Sequence, residues 1–291
     1  MLDSPTLACY HTTIPNGARA PIYFVEEEAN KMKKFVALLL AVLMVASLCA
    51  CGQKDTGSDL QTVTKGKLTM STNAQFPPYE SVADDGKGYE GTGFEGIDIE
   101  IAYALAQKLG LELVVDDMDF DSALSAVQTG KSDIVAAGVT VTPERQNTMC
   151  FTDSYANGVQ VVIVKEGSDI KSIDDLEGKK IGTQRGTTGF IYCSDDYGDD
   201  NVIGFDDGAT AVQNLLAGKV DCVVIDNVPA QEYVKANAGL TILDTEYANE
   251  DYAIGLAKDN TALQAALNKA LAELKADGTI QSIIDKYIPA K

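Results

Sequence analysis

Two kinds of apolar pattern alternate along most of the chain. Some runs are short, nearly continuous and rich in β-branched residues, which predicts strands; others repeat apolar residues every three or four positions, which predicts amphipathic helices. In the first cycle these patterns predict strand 67–72, helix 96–110, strand 111–117, helix 119–130 and strand 132–139. Strands and helices that alternate through short loops favour a mainly parallel sheet with helices on both faces.

A second cycle of the same kind follows. Because the two helices that end the pattern are surplus to this cycle, we expect the second unit to be inserted into the first. The predicted elements are strands 155–167, 179–184, 220–226, 240–245 and 251–258, helices 186–198, 207–219 and 228–239, and the C-terminal helices 260–278 and 279–288.

The predicted fold class is therefore α/β with two lobes, each a mainly parallel sheet flanked by helices. Lobe 1 comprises 67–154 and 251–291, and lobe 2 comprises 155–250. Two hinge crossings, near 152–157 and 245–252, join the lobes.

The segment before the first strand has the pattern of an export signal. Lys33 and Lys34 precede an apolar run over 35–48, which is shorter than the roughly 20 residues that span a bilayer. The run ends in Leu-Cys-Ala-Cys, which resembles a bacterial lipobox with Cys51 as the lipidated residue, although Cys49 occupies a position where Ala, Ser or Thr is usual. We predict a lipoprotein signal peptide over 32–50; cleavage elsewhere or an uncleaved anchor are the alternatives.

The flanking segments complete this assignment. Residues 51–66 are polar and rich in Gly, Ser and Thr, which predicts a tether. Residues 1–31 carry no export pattern, and we expect them to be an upstream segment that is not translated, with Met32 as the start.

Charge and residue usage exclude several classes of function. The chain has 23 basic and 43 acidic residues and a formal net charge of −20, which argues against nucleic acid or anionic lipid as a partner and suits a soluble monomer. The one histidine, His11, lies in the upstream segment. A mature chain that begins at Cys51 would contain no histidine. This excludes Ser–His–Asp and Cys–His catalysis and a His-ligated zinc site. We predict no cofactor and no metal.

Polar residues follow the ends of several predicted strands. Open α/β sheets bind ligands beyond the carboxyl ends of their strands, so these residues should meet in a cleft if the two lobes face each other. Thr142 is a predicted helix N-cap followed by Pro143, which would hold Arg145 at the mouth of the sheet. The residues concerned are Asn73, Thr140, Arg145, Gln184, Thr188 and Asp226.

These groups suit an α-amino acid. Arg145 can bind a carboxylate with two parallel hydrogen bonds, the helix start at 186–188 favours an anion, and Asp226 can pair with an ammonium group. Each residue also has an ordinary explanation when taken alone. Arg145 could be a surface residue and Asp226 a helix N-cap, and Phe76 and Phe120 could be core aromatics.

Seven segments together resemble the polar amino-acid-binding proteins of bacterial ABC importers, which have the type II periplasmic-binding-protein fold. The resemblance covers about residues 66–288 and rests on NAQFPPYE, GIDIEIAYALAQKLG, AGVTVTPER, FTDSY, LEGKKIGTQRGTTG, AVQNLLAGKVDCVVIDN and ELKADGTIQSIIDKYI. It implies a ligand carboxylate on Arg145, Thr140 and Thr188, an ammonium group on Asp226 and the Gly138 carbonyl, a side chain between Phe76 and Phe120, and a side-chain pocket lined by Asn73 and Gln184.

The resemblance also implies partners and a location. The ligand would be glutamine, arginine or a similar polar amino acid; Asn73 stands where relatives that select cationic side chains often have aspartate. The lobes would close over the ligand and dock on the permease of the same importer. The protein would lie outside the cytoplasm, on the outer face of a Gram-positive cell or in a periplasm, and would touch the membrane only through its lipid anchor.

Two other functions are compatible with this fold. An enzyme similar to cyclohexadienyl dehydratases would need a general acid, and Asp226 and Glu80 are better explained as an ammonium partner and a loop residue. A ligand-sensing module that acts on a receptor is the second alternative. We predict a binding protein and not an enzyme.

Overall fold

The computed structural model describes residues 60–289. The predicted upstream segment, the signal peptide with its lipidation site Cys51, and the first part of the predicted tether lie outside the described residues. Within the described part of the chain, no helix combines the length and the apolar character needed to cross a membrane.

The first lobe is built on a five-stranded sheet. Leu68 and Met70 on its first strand in sequence join one apolar cluster with the helix Ile97–Leu109 and the two C-terminal helices, and Val135 joins a second cluster with Phe120. The elements are β1 (Lys67–Thr72), α1 (Ile97–Leu109), β5 (Glu112–Asp117), α2 (Phe120–Gln128), β6 (Ile134–Val135), α3 (Pro143–Thr148), β7 (Met149–Phe151), β14 (Gly255–Ala257), α7 (Thr261–Ala276) and α8 (Thr279–Tyr287). The strand order is β5-β1-β6-β14-β7.

A small three-stranded antiparallel sheet, absent from the sequence prediction, lies between β1 and α1. Its strands are too short to show an apolar period. They are β2 (Gln75–Phe76), β3 (Glu80–Val82) and β4 (Phe94–Glu95), in the order β2-β3-β4.

The second lobe is built on a six-stranded sheet. Its elements are β8 (Ala156–Lys165), β9 (Ile181–Gln184), α4 (Thr188–Tyr197), β10 (Val202–Phe205), α5 (Gly208–Leu216), β11 (Cys222–Asp226), α6 (Asn227–Ala236), β12 (Leu240–Ile242) and β13 (Ala248–Tyr252). The strands follow the order β10-β9-β11-β8-β12, and β13 pairs with β8 as well. The apolar core of this lobe includes Cys193 and Cys222, whose buried thiols are free.

Both sheets are mixed, whereas the sequence predicted mainly parallel ones. In the first lobe β1 runs parallel to β5 and β6, but β14 runs antiparallel to β6 and β7. In the second lobe β9 runs parallel to β10 and β11, but β8 is antiparallel to all three of its neighbours. A parallel neighbour requires a connection that returns the chain to the same end of the sheet. β8 and β14 instead arrive directly from the other lobe, with no helix before them.

The chain passes between the lobes twice, and hydrogen bonds join the two passages. The first passage lies between β7 and β8. The second lies at 253–254, just after the predicted 245–252, because β13 still pairs with β8. Thr152 N–H donates to the Ile254 carbonyl at 2.9 Å, and Ile254 N–H donates to Thr152 Oγ1 at 3.1 Å. The two passages therefore form one narrow connection.

Candidate functional site

A pocket of about 440 Å³ lies where the two lobes meet, and all nine sequence-predicted ligand-binding residues line it. Six come from the first lobe and three from the second. The nine are Asn73, Phe76, Phe120, Gly138, Thr140, Arg145, Gln184, Thr188 and Asp226.

Arg145 is held at one end of the pocket by its short helix. Thr142 is the N-cap of α3, as predicted: its Oγ1 accepts a hydrogen bond from Arg145 N–H at 3.2 Å, and Pro143 opens the helix. The guanidinium donates to the Thr140 carbonyl at 2.8 Å and to the Gly186 carbonyl at 3.0 Å. Because Gly186 belongs to the second lobe, Arg145 links the lobes.

The Arg145 side chain is almost completely buried. Only 8% of the residue is exposed, and its guanidinium carbon lies 5.4 Å from the centre of the Phe120 ring. Burial lowers the pKa of Arg145 from its usual value, and the negative charge of Glu250 opposes this shift. An anion bound in the pocket would therefore offset part of the free-energy cost of burying this cation.

The start of α4 faces the same end of the pocket. Thr187 caps the helix, with Oγ1 accepting from Phe190 N–H at 3.3 Å, and Thr188 is the first helical residue. Gly186 precedes them in a left-handed conformation, and a Cβ there would lie 1.6 Å from Asp121 Oδ1 across the lobe boundary. The helix start therefore comes close to the first lobe and adds its free N–H groups to the site.

Asp226 supplies negative charge elsewhere in the pocket. It is buried at the carboxyl end of β11, and the Tyr252 hydroxyl donates a hydrogen bond to it. Burial, together with the charge of Glu250, raises the pKa of Asp226 to about 7. Pairing with a cation would favour the ionised carboxylate.

Gly138 is positioned by a buried acid. Its backbone is left-handed, with a φ of 55°, and its N–H donates to Asp98 Oδ2 at 2.8 Å. A Cβ at this position would lie 2.8 Å from the Phe76 ring, so glycine allows the aromatic ring to approach the backbone.

Asn73 and Gln184 meet across the pocket. Gln184 Nε2 donates to Asn73 Oδ1 at 2.9 Å, and Asn73 Nδ2 donates to the Met118 carbonyl at 3.0 Å. Asn73 follows β1 in the first lobe, and Gln184 ends β9 in the second. These two side chains therefore form a second polar link between the lobes.

Several pocket residues escaped the sequence reasoning. Gln160 lines the pocket and donates from Nε2 to Glu250 at 2.9 Å; a lone polar residue inside the apolar strand 156–165 was a usable signal for it. Glu80 also lines the pocket and is fully buried, although the sequence suggested a loop residue. Glu250 is buried and accepts from Thr140 Oγ1 at 3.1 Å, and the sequence carried no signal for this.

Comparison with protein families gives a match over nearly all of the described chain. Residues 68–290 match the model of the bacterial extracellular solute-binding proteins, family 3. The arginine-binding extracellular protein ArtP of Bacillus subtilis is 34% identical over 266 residues, which cover 88% of this chain and 98% of the relative.

Solved structures agree with this match. An ancestral arginine-binding protein bound to glutamine is 40% identical, with a TM-score of 0.72, and the alignment covers 78% of this chain and all of that one. A structure of an ancestral arginine-binding protein bound to arginine is 41% identical, with a TM-score of 0.70 and coverage of 77% and 99%. The two-lobed type II periplasmic-binding-protein fold that the sequence predicted is thereby confirmed, and the chain belongs to the bacterial extracellular solute-binding proteins of family 3.

Proposed function

We propose that this chain is the substrate-binding protein of an ABC importer and that its interlobe pocket captures a polar α-amino acid. The observation that carries the proposal is the arrangement of charge in the pocket. The buried guanidinium of Arg145, the helix start at Thr188 and the buried carboxyl group of Asp226 all line it. An α-amino acid carries the complementary carboxylate and ammonium groups on one carbon.

In the proposed complex, the ligand carboxylate accepts hydrogen bonds from Arg145, Thr140 and Thr188. Arg145 already donates to two backbone carbonyls, and a guanidinium has five N–H groups, so it can still bind the ligand. The ammonium group donates to Asp226 and to the Gly138 carbonyl. The Phe76 and Phe120 rings, which lie in the same pocket, would contact the ligand side chain.

Capture would be coupled to closure of the lobes. The proposed partners of one small ligand come from both lobes, so a ligand that contacts all of them binds the closed arrangement better than an open one and shifts the population toward it. The two chain passages are the points at which the lobes would rotate. The closed protein would then deliver its ligand to the permease.

The relatives support this class of ligand. The Bacillus relative is named for arginine, and ancestral arginine-binding proteins are bound to glutamine in one structure and to arginine in another. We propose arginine and glutamine as the first ligands to test. No feature of the pocket requires a catalytic step, and we assign it a binding role.

Replacing Arg145 tests the carboxylate site. We expect Arg145→Ala to weaken binding of arginine and glutamine by at least about 100-fold, because the ligand carboxylate would lose a buried, charged hydrogen-bond partner. Isothermal titration calorimetry measures the affinity, and circular dichroism checks that the variant is folded.

Arg145→Lys is the matched control. It keeps the positive charge but not the two parallel donors, so its affinity should fall between those of the native protein and Arg145→Ala. A folded Arg145→Ala variant that binds as tightly as the native protein would refute the assignment.

The raised pKa of Asp226 predicts opposite pH effects on binding and on stability. Binding an ammonium group requires the ionised carboxylate, so the dissociation constant should increase by up to about tenfold for each pH unit below 7. In the ligand-free protein, the folded state holds this proton more tightly than the unfolded state. The contribution of protonated Asp226 to the free energy of unfolding is therefore fully present below the pKa of the unfolded state, and it is lost as pH rises through about 7.

Titration calorimetry and thermal melting between pH 5 and pH 8 measure the two effects. We expect tighter binding at pH 8 and a higher melting temperature of the ligand-free protein at pH 5. Asp226→Asn should flatten both dependences. Affinity that stays constant across this range would contradict the role given to Asp226.

We also propose that the protein is held at the outer face of the membrane through a lipid on Cys51, as the lipobox-like segment suggests. The family description as extracellular supports the location. In a bacterial host, the native chain should fractionate with membranes. The Cys51→Ser variant lacks the lipid, so it should leave the membrane fraction unless an uncleaved signal peptide holds it there. An unlipidated native chain, measured by mass spectrometry of its N-terminal peptide, would contradict this proposal.

A further inference from the structure

A buried acid that does not line the pocket holds two side chains that do. Glu250 lies on β13 in the second lobe, just before the second chain passage at 253–254, and it is 6% exposed. Its Oε2 accepts hydrogen bonds from Thr140 Oγ1 at 3.1 Å and from Gln160 Nε2 at 2.9 Å. Both of these residues line the pocket, one from each lobe. Glu250 therefore acts on the pocket through the polar side chains that it holds.

The backbone brings Thr140 and Glu250 together at the junction of the lobes. Val141 N–H donates to the Asp251 carbonyl at 3.0 Å, and Ala253 N–H donates to the Val139 carbonyl at 3.1 Å. These two bonds flank Thr140. The contact between Thr140 and Glu250 thus lies beside the chain passage, where the backbone itself joins the lobes, and it needs no ligand to form.

The hydrogen bond to Glu250 also fixes how Thr140 can meet a ligand carboxylate. A hydroxyl group has one hydrogen, and Thr140 donates it to Glu250, so the hydroxyl offers only lone pairs to the pocket. Thr140 faces Tyr252 as a non-hydrogen-bonded pair of the antiparallel bridge, which leaves the Thr140 N–H outside that bridge. The donor that Thr140 can offer to a ligand carboxylate is therefore its backbone N–H.

Glu250 supplies negative charge as well. Burial lowers the pKa of Arg145, and the charge of Glu250 opposes this shift. The same charge adds to burial in raising the pKa of Asp226 to about 7 and that of the Tyr192 hydroxyl to about 12. Because Arg145 and Asp226 are the proposed partners of the ligand carboxylate and the ligand ammonium group, Glu250 acts electrostatically on both ends of the ligand site.

We propose that Glu250 is a positioning residue of the amino-acid site, which fixes Thr140 and Gln160 and serves as the protein's own anionic partner of Arg145. This inference rests on the proposed function, since it assigns a residue that acts on the same ligand without touching it. In the ligand-free protein, the charge of Glu250 offsets part of the free-energy cost of burying the guanidinium. In the complex, it acts with opposite signs on the ligand carboxylate and on the ligand ammonium group.

Glu250→Gln tests the role of the charge. The substitution keeps the size of the side chain and one acceptor oxygen, but it no longer disfavours ionisation of Asp226. Between pH 8 and pH 5, we expect the loss of glutamine affinity to be at least about fivefold smaller than in the native protein. Isothermal titration calorimetry measures the affinities, and circular dichroism checks the fold. A merely structural role would alter the affinity at every pH equally, so a native pH profile in the folded variant contradicts the proposed charge effect.

The other titratable groups near Asp226 are common to both proteins in this comparison. Burial raises the pKa of Glu80, Tyr79 and Tyr252, and it raises the pKa of Asp98 to about 6. Asp98 therefore titrates within the measured range and contributes to both profiles. The substitution leaves all four groups in place, so the difference between the two profiles reports the charge that was removed.

Glu250→Leu tests the role of the acceptor. Leucine has a similar size but leaves Thr140 and Gln160 without their partner, whereas glutamine at this position can still accept a hydrogen bond. At pH 8 we expect Glu250→Gln to bind glutamine within about threefold of the native protein, and Glu250→Leu to bind at least about tenfold more weakly than Glu250→Gln. A folded Glu250→Leu variant with native affinity overturns the positioning role. The pH profile of Glu250→Gln tests the proposal whether or not the leucine variant folds.

Glu246→Gln is the matched control. Glu246 is exposed and precedes β13, and its substitution removes the same charge from the chain. We expect glutamine affinity within about twofold of the native value at every pH, because solvent screens exposed charges. A shift of the pH profile as large as that of Glu250→Gln would show an effect of net charge and would overturn the inference. Failure of the folded native protein to bind any polar amino acid overturns the proposed function itself.

Discussion

A buried guanidinium organises the interlobe site. Arg145 is almost completely removed from solvent and donates to one carbonyl in each lobe. Burying a cation costs free energy unless hydrogen bonds and an opposite charge compensate for it. The buried position of Arg145 therefore depends on the short helix that fixes it and on the backbone just before α4 that accepts its hydrogen bond. In our proposal the ligand carboxylate completes this compensation, which ties closure of the lobes to capture.

The acids in and around the same pocket pose the complementary problem. Asp226, Glu80 and Glu250 are buried, and Asp98 lies behind them against the Gly138 backbone. Burial is the largest cause of the raised pKa of Asp226, Glu80 and Asp98. Burial in the protein alone disfavours the ionised forms of these carboxyl groups, whereas a ligand that brings positive charge and N–H donors would favour them. The pocket region thus combines one buried cation with several buried carboxyl groups.

Much of the fold and of the site was predictable because their signals are local. Thr142, Pro143 and Arg145 form a helix start that can be recognised within four residues, and the long amphipathic helices show their period plainly. The mixed order of the sheets could not be found in this way, since it depends on which strands arrive directly from the other lobe. The burial of Glu250 and the link between Asn73 and Gln184 join residues about 110 positions apart in sequence. Only the folded arrangement of the lobes brings these groups together.

The most direct measurement is a calorimetric titration of ligand-free protein, refolded from denaturant to remove any bound amino acid, with arginine and with glutamine. We expect at least one of them to bind with one molecule per chain, and bound ligand at about 100 times its dissociation constant to stabilise the folded protein by about 2.7 kcal/mol. Folded protein that shows neither heat of binding nor a thermal shift with arginine, glutamine or any other polar amino acid would contradict the assignment of the interlobe pocket as an amino-acid site.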